Sequence, residues 1–212
     1  MKIEIWSDIM CPFCYIGKRR FEEALKVFPK RNEVEIQWKS FQLDPGLASQ
    51  PGKDVYTYLA EIKGQTREWS IKMHEGVVQT AKEVGLDYRF DRAVIANSFD
   101  AHRLIQMAKK HNLGDAAEER LFHAYFTEGK DVANLQTLAE LGAEIGLDSA
   151  QVSAMLESDE FRDEVLADVD EARQLGARGV PFFVIDRKYA VYGAQHTATF
   201  LQALEASAAE SA

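Results

Sequence analysis

Several things are scarce in this chain, and each scarcity excludes something. There are two cysteines in 212 residues, Cys11 and Cys14. Two cysteines cannot complete a zinc site, which takes four ligands. The histidines, His74, His102, His111, His123 and His196, are scattered without ligand spacing, so no metal is expected. Basic residues number 25 against 34 acidic ones, for a formal net charge of −9. Nucleic acids and anionic membranes both require clustered Lys and Arg, so neither is an expected partner. No apolar run approaches the roughly 18 residues of a membrane-spanning helix. The segment Lys2-Ile3-Glu4-Ile5-Trp6 alternates instead of forming the apolar block of a signal peptide. With Met1 taken as the native start, the expected location is the cytoplasm. Two closely spaced cysteines in that reducing compartment point to catalysis more than to a structural staple.

Strand signals are also missing through the middle of the chain. Residues 2–7 alternate, with Ile3 and Ile5 on one face and Glu4 and Trp6 on the other. Helical spacing follows from Cys14 to Val27, with Pro12 near the first turn and Pro29 as its stop. Residues 34–41 alternate again. This is a β-α-β unit, whose strands are parallel by the handedness rule.

Residues 44–53 read as a loop marked by Pro45, Gly46, Pro51 and Gly52. Helical patterns then succeed one another. Asp54 and Thr66 cap the first two, and the second carries the stripe Trp69, Met73, Val77, Ala81 and Val84. Asn97 or Ser98 opens the next. Asp115, Asn134 and Asp148 open three more, and Ser158 or Asp159 opens a last long one that includes Phe161. Gly85-Leu86 and Gly146-Leu147 are Schellman-type endings. Two strands, Phe182–Ile185 and Tyr189–Tyr192, are joined by Asp186-Arg187-Lys188, and a final helix covers about Thr197 to Ala206. Strands at both ends need partners for their backbone groups. The ends therefore pair into one sheet, and the α/β fold is expected to comprise residues 1–43 and 158–207. Residues 44–157 form a helical insertion, and 208–212 are a frayed tail.

The chemistry gathers at Cys11-Pro12-Phe13-Cys14. A spacing of three puts both sulfurs on one side of a helix's first turn. Cys11 falls at the N-terminus, where free N–H groups and the dipole favour a thiolate. Cys14, one turn in, is placed to attack a mixed disulfide. A strand feeding such a turn into a helix favours redox chemistry over a buried inert pair. Gly179-Val180-Pro181-Phe182-Phe183 is the second signal, because proline directly before a buried strand lacks the ladder donor. It reads as a loop proline, or as a cis Val180–Pro181 bond that frees the Val180 backbone for an extended substrate.

Together these motifs resemble the thioredoxin superfamily and, within it, the DsbA-like oxidoreductases of the FrnE type. The resemblance is carried by Trp6-Ser7-Asp8, by Cys11 to Gly17, by Asn97-Ser98 with Ala101-His102-Arg103-Leu104, by Gly179-Val180-Pro181, and by Gly193-Ala194-Gln195. It implies a thioredoxin fold with an inserted helical domain, and thiol–disulfide exchange without metal or organic cofactor. Cys11 resembles the attacking cysteine, Cys14 the resolving one, and Pro181 the cis-proline facing them. Val180, Pro12, Phe13, His102 and Asn97 match positions that meet substrate. The implied partners are disulfide- or thiol-containing proteins or small molecules, with a reductase or glutathione supplying electrons. Phe13 stands where periplasmic oxidases carry His, and it cannot donate a hydrogen bond to Cys11, so a less oxidising couple is expected. A second cysteine pair, present in some relatives, is absent, which excludes self-relay. Kappa-class glutathione transferases and 2-hydroxychromene-2-carboxylate isomerases share the layout with serine in place of a redox pair. They define the alternative, a glutathione-dependent transferase or isomerase.

Four lesser positions have two readings each. Asp8 either influences the Cys11 proton or stabilises its turn. Lys18 either faces the site or is a solvated helix lysine. Trp69 and Met73 are either core or a substrate platform, and the core is expected.

Overall fold

A computed structural model describes residues 1–50 and 52–210. In chain order it contains β1 (Lys2–Ser7), α1 (Pro12–Val27), β2 (Glu35–Ser40), α2 (Val55–Lys63) and α3 (Arg67–Glu83). Then follow α4 (Phe99–Lys110), α5 (Gly114–His123), α6 (Leu135–Glu144), α7 (Ser149–Leu156) and α8 (Arg162–Gln174). The chain closes with β3 (Phe182–Ile185), β4 (Tyr189–Tyr192) and α9 (Thr197–Glu210). Two compact units result, Met1–Leu43 with Asp163–Ala212, and Asp44–Arg162.

The first unit is a four-stranded sheet of order β2-β1-β3-β4. β1 runs parallel to β2 and antiparallel to β3, and β3 is antiparallel to β4. The two ends of the chain thus complete one sheet. β1 and β3 are covered on both faces, and their alternation splits the core in two. Ile3, Ile5, Phe183 and Ile185 pack with Phe21, Ala24 and Phe28 of α1 and Phe200 and Leu204 of α9. Trp6, Phe182 and Val184 turn the other way, onto Ala172 of α8 and Ala177. Each large aliphatic or aromatic side chain among them contributes about 1.5–3 kcal/mol by leaving water.

The second face also holds charge. Glu4 is buried, and the Arg187 guanidinium donates to both of its carboxylate oxygens. Arg187 also reaches Glu171 at 2.7 Å. Lys39 Nζ bridges Asp168 at 2.8 Å and Glu171 at 3.0 Å. The Trp6 indole N–H donates to the Asp168 carbonyl at 2.7 Å. These bonds fix α8 to the sheet.

The second unit is helical. Caps expected from single residues are made by those residues: Asp54, Thr66, Asn134 and Asp148 accept from the N–H groups of Thr57, Trp69, Thr137 and Gln151. Gly85-Leu86 and Gly146-Leu147 close their helices through Leu86 N–H to Ala81 and Leu147 N–H to Gly142. Tyr88, Phe90, Phe122, Tyr125 and Phe126 form one aromatic cluster around the π-helical turn Ala124–Glu128.

Several expectations are corrected. α8 starts at Arg162, because Phe161 has φ 62° and ends a turn closed by Arg162 N–H to Asp159 O at 3.2 Å. The second boundary between the units accordingly falls at 162/163 instead of 157/158. α5 opens at Gly114, one residue before Asp115. Residues 208–210 are helical, because Glu210 takes hydrogen bonds from Tyr189 and Lys188. Ser211 and Ala212, the rest of the expected tail, lie outside the described residues, as does Pro51 of the expected loop. Met73 is 48 % exposed and Trp69 half-buried, so neither is core; α3 buries only Ser70 and Ala81.

Candidate redox site

The site begins where β1 ends. Asp8 turns the chain: its carbonyl accepts from Cys11 N–H at 2.9 Å, and its carboxylate accepts from Met10 N–H at 3.2 Å and Leu43 N–H at 2.8 Å. The carboxylate is buried, so these bonds are what make its burial tolerable. Of the two readings of Asp8, turn stabilisation is directly visible. Cys11 then takes the N-cap of α1 with extended backbone, φ −92° and ψ 110°, and Pro12 occupies the first helical position. Proline needs no N–H there. No acidic side chain sits in the first turn. A helix start of this kind favours an anion at the cap.

Both cysteines are free thiols in this structure and both are buried. Burial, above all, pushes the Cys14 thiol well above its ordinary value. Its hydrogen bond to Cys11 and the charge Cys11 can carry push the same way. The Asp8 backbone opposes them, and the Asp8 carboxylate reinforces them. The pair is thus asymmetric: Cys14 is built to keep its proton. Phe13, between them, is 44 % exposed, while Pro12 is half-buried.

The far segment arrives through the sheet. Because β3 pairs with β1, the residues before β3 reach the turn after β1. The Val180–Pro181 bond is cis. The Cys11 thiol donates to the Val180 carbonyl at 3.5 Å. Six of the sequence-predicted positions therefore meet in this one unit: Cys11, Pro12, Phe13, Cys14, Val180 and Pro181.

Lys18 is a correction. It is buried, paired with Glu22 one turn on, and lies 5.9 Å from the Trp38 ring centroid. The apolar stem and the cation–π contact make a buried position acceptable for it.

Asn97 and His102 belong to the helical unit, and contacts inside that unit occupy Asn97. Its amide donates to the carbonyls of Pro45 at 3.3 Å and Leu47 at 2.9 Å, and its oxygen accepts from Phe99 N–H at 2.9 Å. Ser98 is the formal N-cap and its side chain makes no cap bond. His102 is fully buried in α4. Next to it, Arg103 donates to the carbonyls of Leu156 at 3.3 Å and Glu160 at 2.8 Å, and also to those of Met155 and Ser158. This latch on the end of α7 escaped the sequence reading. Arg103 enters the resemblance, but nothing in the sequence announces its burial.

The contacts of Gly17, which the motif includes, and of Arg20, which it does not, were also missed. Arg20 Nη1 donates to the Ala194 carbonyl at 2.6 Å. A Cβ at Gly17 would lie 2.9 Å from Pro181 Cγ.

Comparison with known proteins follows the same outline. A family model described as a DSBA-like thioredoxin domain matches residues 2–205. A crystal structure of a probable DsbA oxidoreductase from Streptomyces coelicolor superposes with a TM-score of 0.94 at 42% identity, over 99% of this chain and 91% of that one. The Bacillus subtilis protein YwbO, described as uncharacterized, is 28% identical over 187 residues, 86% of each chain. Cytosolic disulfide reductase DsbM of Pseudomonas aeruginosa shares the fold at a TM-score of 0.66 and 20% identity, over 99% of this chain and 96% of that one.

Proposed function

Since this chain belongs to the DsbA-like thioredoxin-domain family, we propose that it is a dithiol–disulfide oxidoreductase working through Cys11 and Cys14. The observation that carries this reading is the unequal pair itself. Both are buried, but one stands at a helix cap beside the Val180 backbone, while burial and its neighbour hold the other's proton on.

The Cys11 thiolate attacks one sulfur of a substrate disulfide. A Cys11–substrate disulfide forms, and the other substrate sulfur leaves as a thiolate that takes a proton. Cys14 then loses its proton and attacks Cys11 Sγ. The Cys11–Cys14 disulfide forms, and the second substrate sulfur leaves as thiol. Two electrons pass from the cysteine pair to the substrate. Pro181 and Val180, with Pro12 and Phe13, supply the surface that meets substrate. Asn97 and His102 lie in the helical unit, and no step here is assigned to them.

Neither a metal nor an organic cofactor enters these steps. Glutathione fits as the thiol that returns electrons to the oxidised pair; DsbM, of the same fold, has a structure described as being with GSH. The DsbM description also says cytosolic, and a cytoplasmic location for this chain belongs to the same proposal.

The test is a pair of variants in an insulin-reduction assay with a glutathione-conjugation assay beside it. Cys11→Ser is expected to lose all turnover. Cys14→Ser is expected to accumulate Cys11-linked mixed disulfides visible by mass spectrometry. Full activity in Cys14→Ser that requires glutathione would overturn the reading in favour of a transferase or isomerase.

A further inference from the structure

The Gly193-Ala194-Gln195 turn after β4 has no part in the exchange steps, yet it is bonded to both halves of the site. Gly193 N–H donates to the Pro181 carbonyl at 2.8 Å. Gly193 does so at φ +75°, a conformation glycine adopts without a Cβ clash. The neighbouring Ala194 carbonyl accepts from Arg20 Nη1 at 2.6 Å. Arg20 lies on α1 one turn after Gly17. A Cβ at Gly17 would meet Pro181 Cγ at 2.9 Å and Ala194 Cα at 3.6 Å. Glycine weakens a helix interior, so the close approach, and not helix propensity, accounts for its presence there.

These contacts form a closed ring. It runs from Cys11 along α1 to Gly17 and Arg20, across to Ala194, and back through Gly193, Pro181 and Val180 to Cys11. The ring encloses the gap between the Cys11 sulfur and the Val180 backbone, 3.5 Å from Sγ to the carbonyl oxygen. We propose that Gly17 and Arg20 are positioning residues that set this gap, and that through it they select disulfides carried on an extended polypeptide over small disulfides. The inference rests on the dithiol–disulfide reading above. A polypeptide that lays its backbone along Val180 needs that backbone at a fixed distance from Cys11. A small disulfide needs the Cys11 sulfur alone.

The experiment compares wild type, Gly17→Ala, Arg20→Ala and Arg20→Lys on two substrates, insulin and bis(2-hydroxyethyl) disulfide. The ring predicts that Gly17→Ala and Arg20→Ala raise KM for insulin roughly tenfold, the effect of one misplaced hydrogen bond. Turnover of the small disulfide stays at the wild-type rate. Arg20→Lys keeps a donor and recovers part of the loss. Arg20 is partly exposed, so Arg20→Ala carries the test should Gly17→Ala fail to fold. Equal loss on both substrates, or no change on either, overturns the proposal. Failure of wild type to turn over either substrate overturns the parent reading as well, and is told apart by that fact.

Discussion

The Cys11 thiol and the Val180 carbonyl oxygen are 3.5 Å apart in space and 169 positions apart in sequence. They meet because Ile5 pairs with Phe183 and Trp6 with Phe182, so the end of β1 and the approach to β3 emerge at one edge of the sheet. The register of one antiparallel pair therefore decides the geometry of the site.

The asymmetry of the thiols gives the first prediction. Burial and Cys11 together hold the Cys14 thiol above its ordinary range. Iodoacetamide at pH 8 is expected to label Cys11 roughly ten times faster than Cys14, read by peptide mass spectrometry. The stability consequence has a definite sign. The unfolded chain loses the Cys14 proton at lower pH than the folded one, so stability is intact below the ordinary thiol range and falls as pH rises through it. Equilibrium urea unfolding from pH 7 to 10 should show that fall, and Cys14→Ala should flatten it. Equal labelling of the two cysteines would refute the assignment.

Phe13 is exposed between the cysteines and has no hydrogen to donate to a Cys11 thiolate. Phe13→His restores a donor that stabilises the reduced form, so the pair becomes more oxidising. Equilibration against glutathione buffers should give wild type a potential well below about −120 mV, the DsbA figure, with Phe13→His shifted towards it. A wild-type value already at that figure would remove Phe13 from the argument.

Glu4 is buried and its carboxylate depends on Arg187. Arg187→Ala strands that charge. Breaking a fully buried pair costs about 3–5 kcal/mol. Arg187 is 42% exposed and Lys2 Nζ stays 3.5 Å from Glu4, so a loss of about 2 kcal/mol is expected in urea unfolding. Arg187→Ala combined with Glu4→Leu should regain most of it. A double variant no better than the single one would show that the lost packing, and not the stranded charge, was responsible.

In the helical unit, burial pushes His74 below its ordinary value of 6.5, and its Nδ1 hydrogen bond to the Ser70 carbonyl at 2.8 Å only partly opposes this. The unfolded chain then binds a proton that the folded chain resists. Stability is flat above 6.5 and declines as pH falls from there towards the lowered value. The midpoint of urea unfolding at pH 7 and pH 5 measures the decline. His74→Gln should shrink the difference, and an unchanged difference would assign it elsewhere.

Features set by a few neighbouring residues were legible in the sequence. Asp54, Thr66, Asn134 and Asp148 cap their helices through bonds spanning three residues. Phe161 was misread as helical because an apolar residue at the right spacing looks the same whether φ is negative or, as here, 62°. The solvated reading of Lys18 fails because nothing nearby in sequence announces the Trp38 ring beside it.

Sequence alone determined the strand–turn–helix around Cys11 and Cys14, the helical middle, and the sheet built from both ends. Alternation, helical spacing and caps are local and follow from backbone geometry. Tertiary structure decided the rest. The Glu4–Arg187 pair, the Gly17–Pro181 approach and the Arg20–Ala194 bond each join segments more than 150 residues apart. Such contacts depend on strand register and on close packing between α1 and the approach to β3, which a linear pattern does not encode.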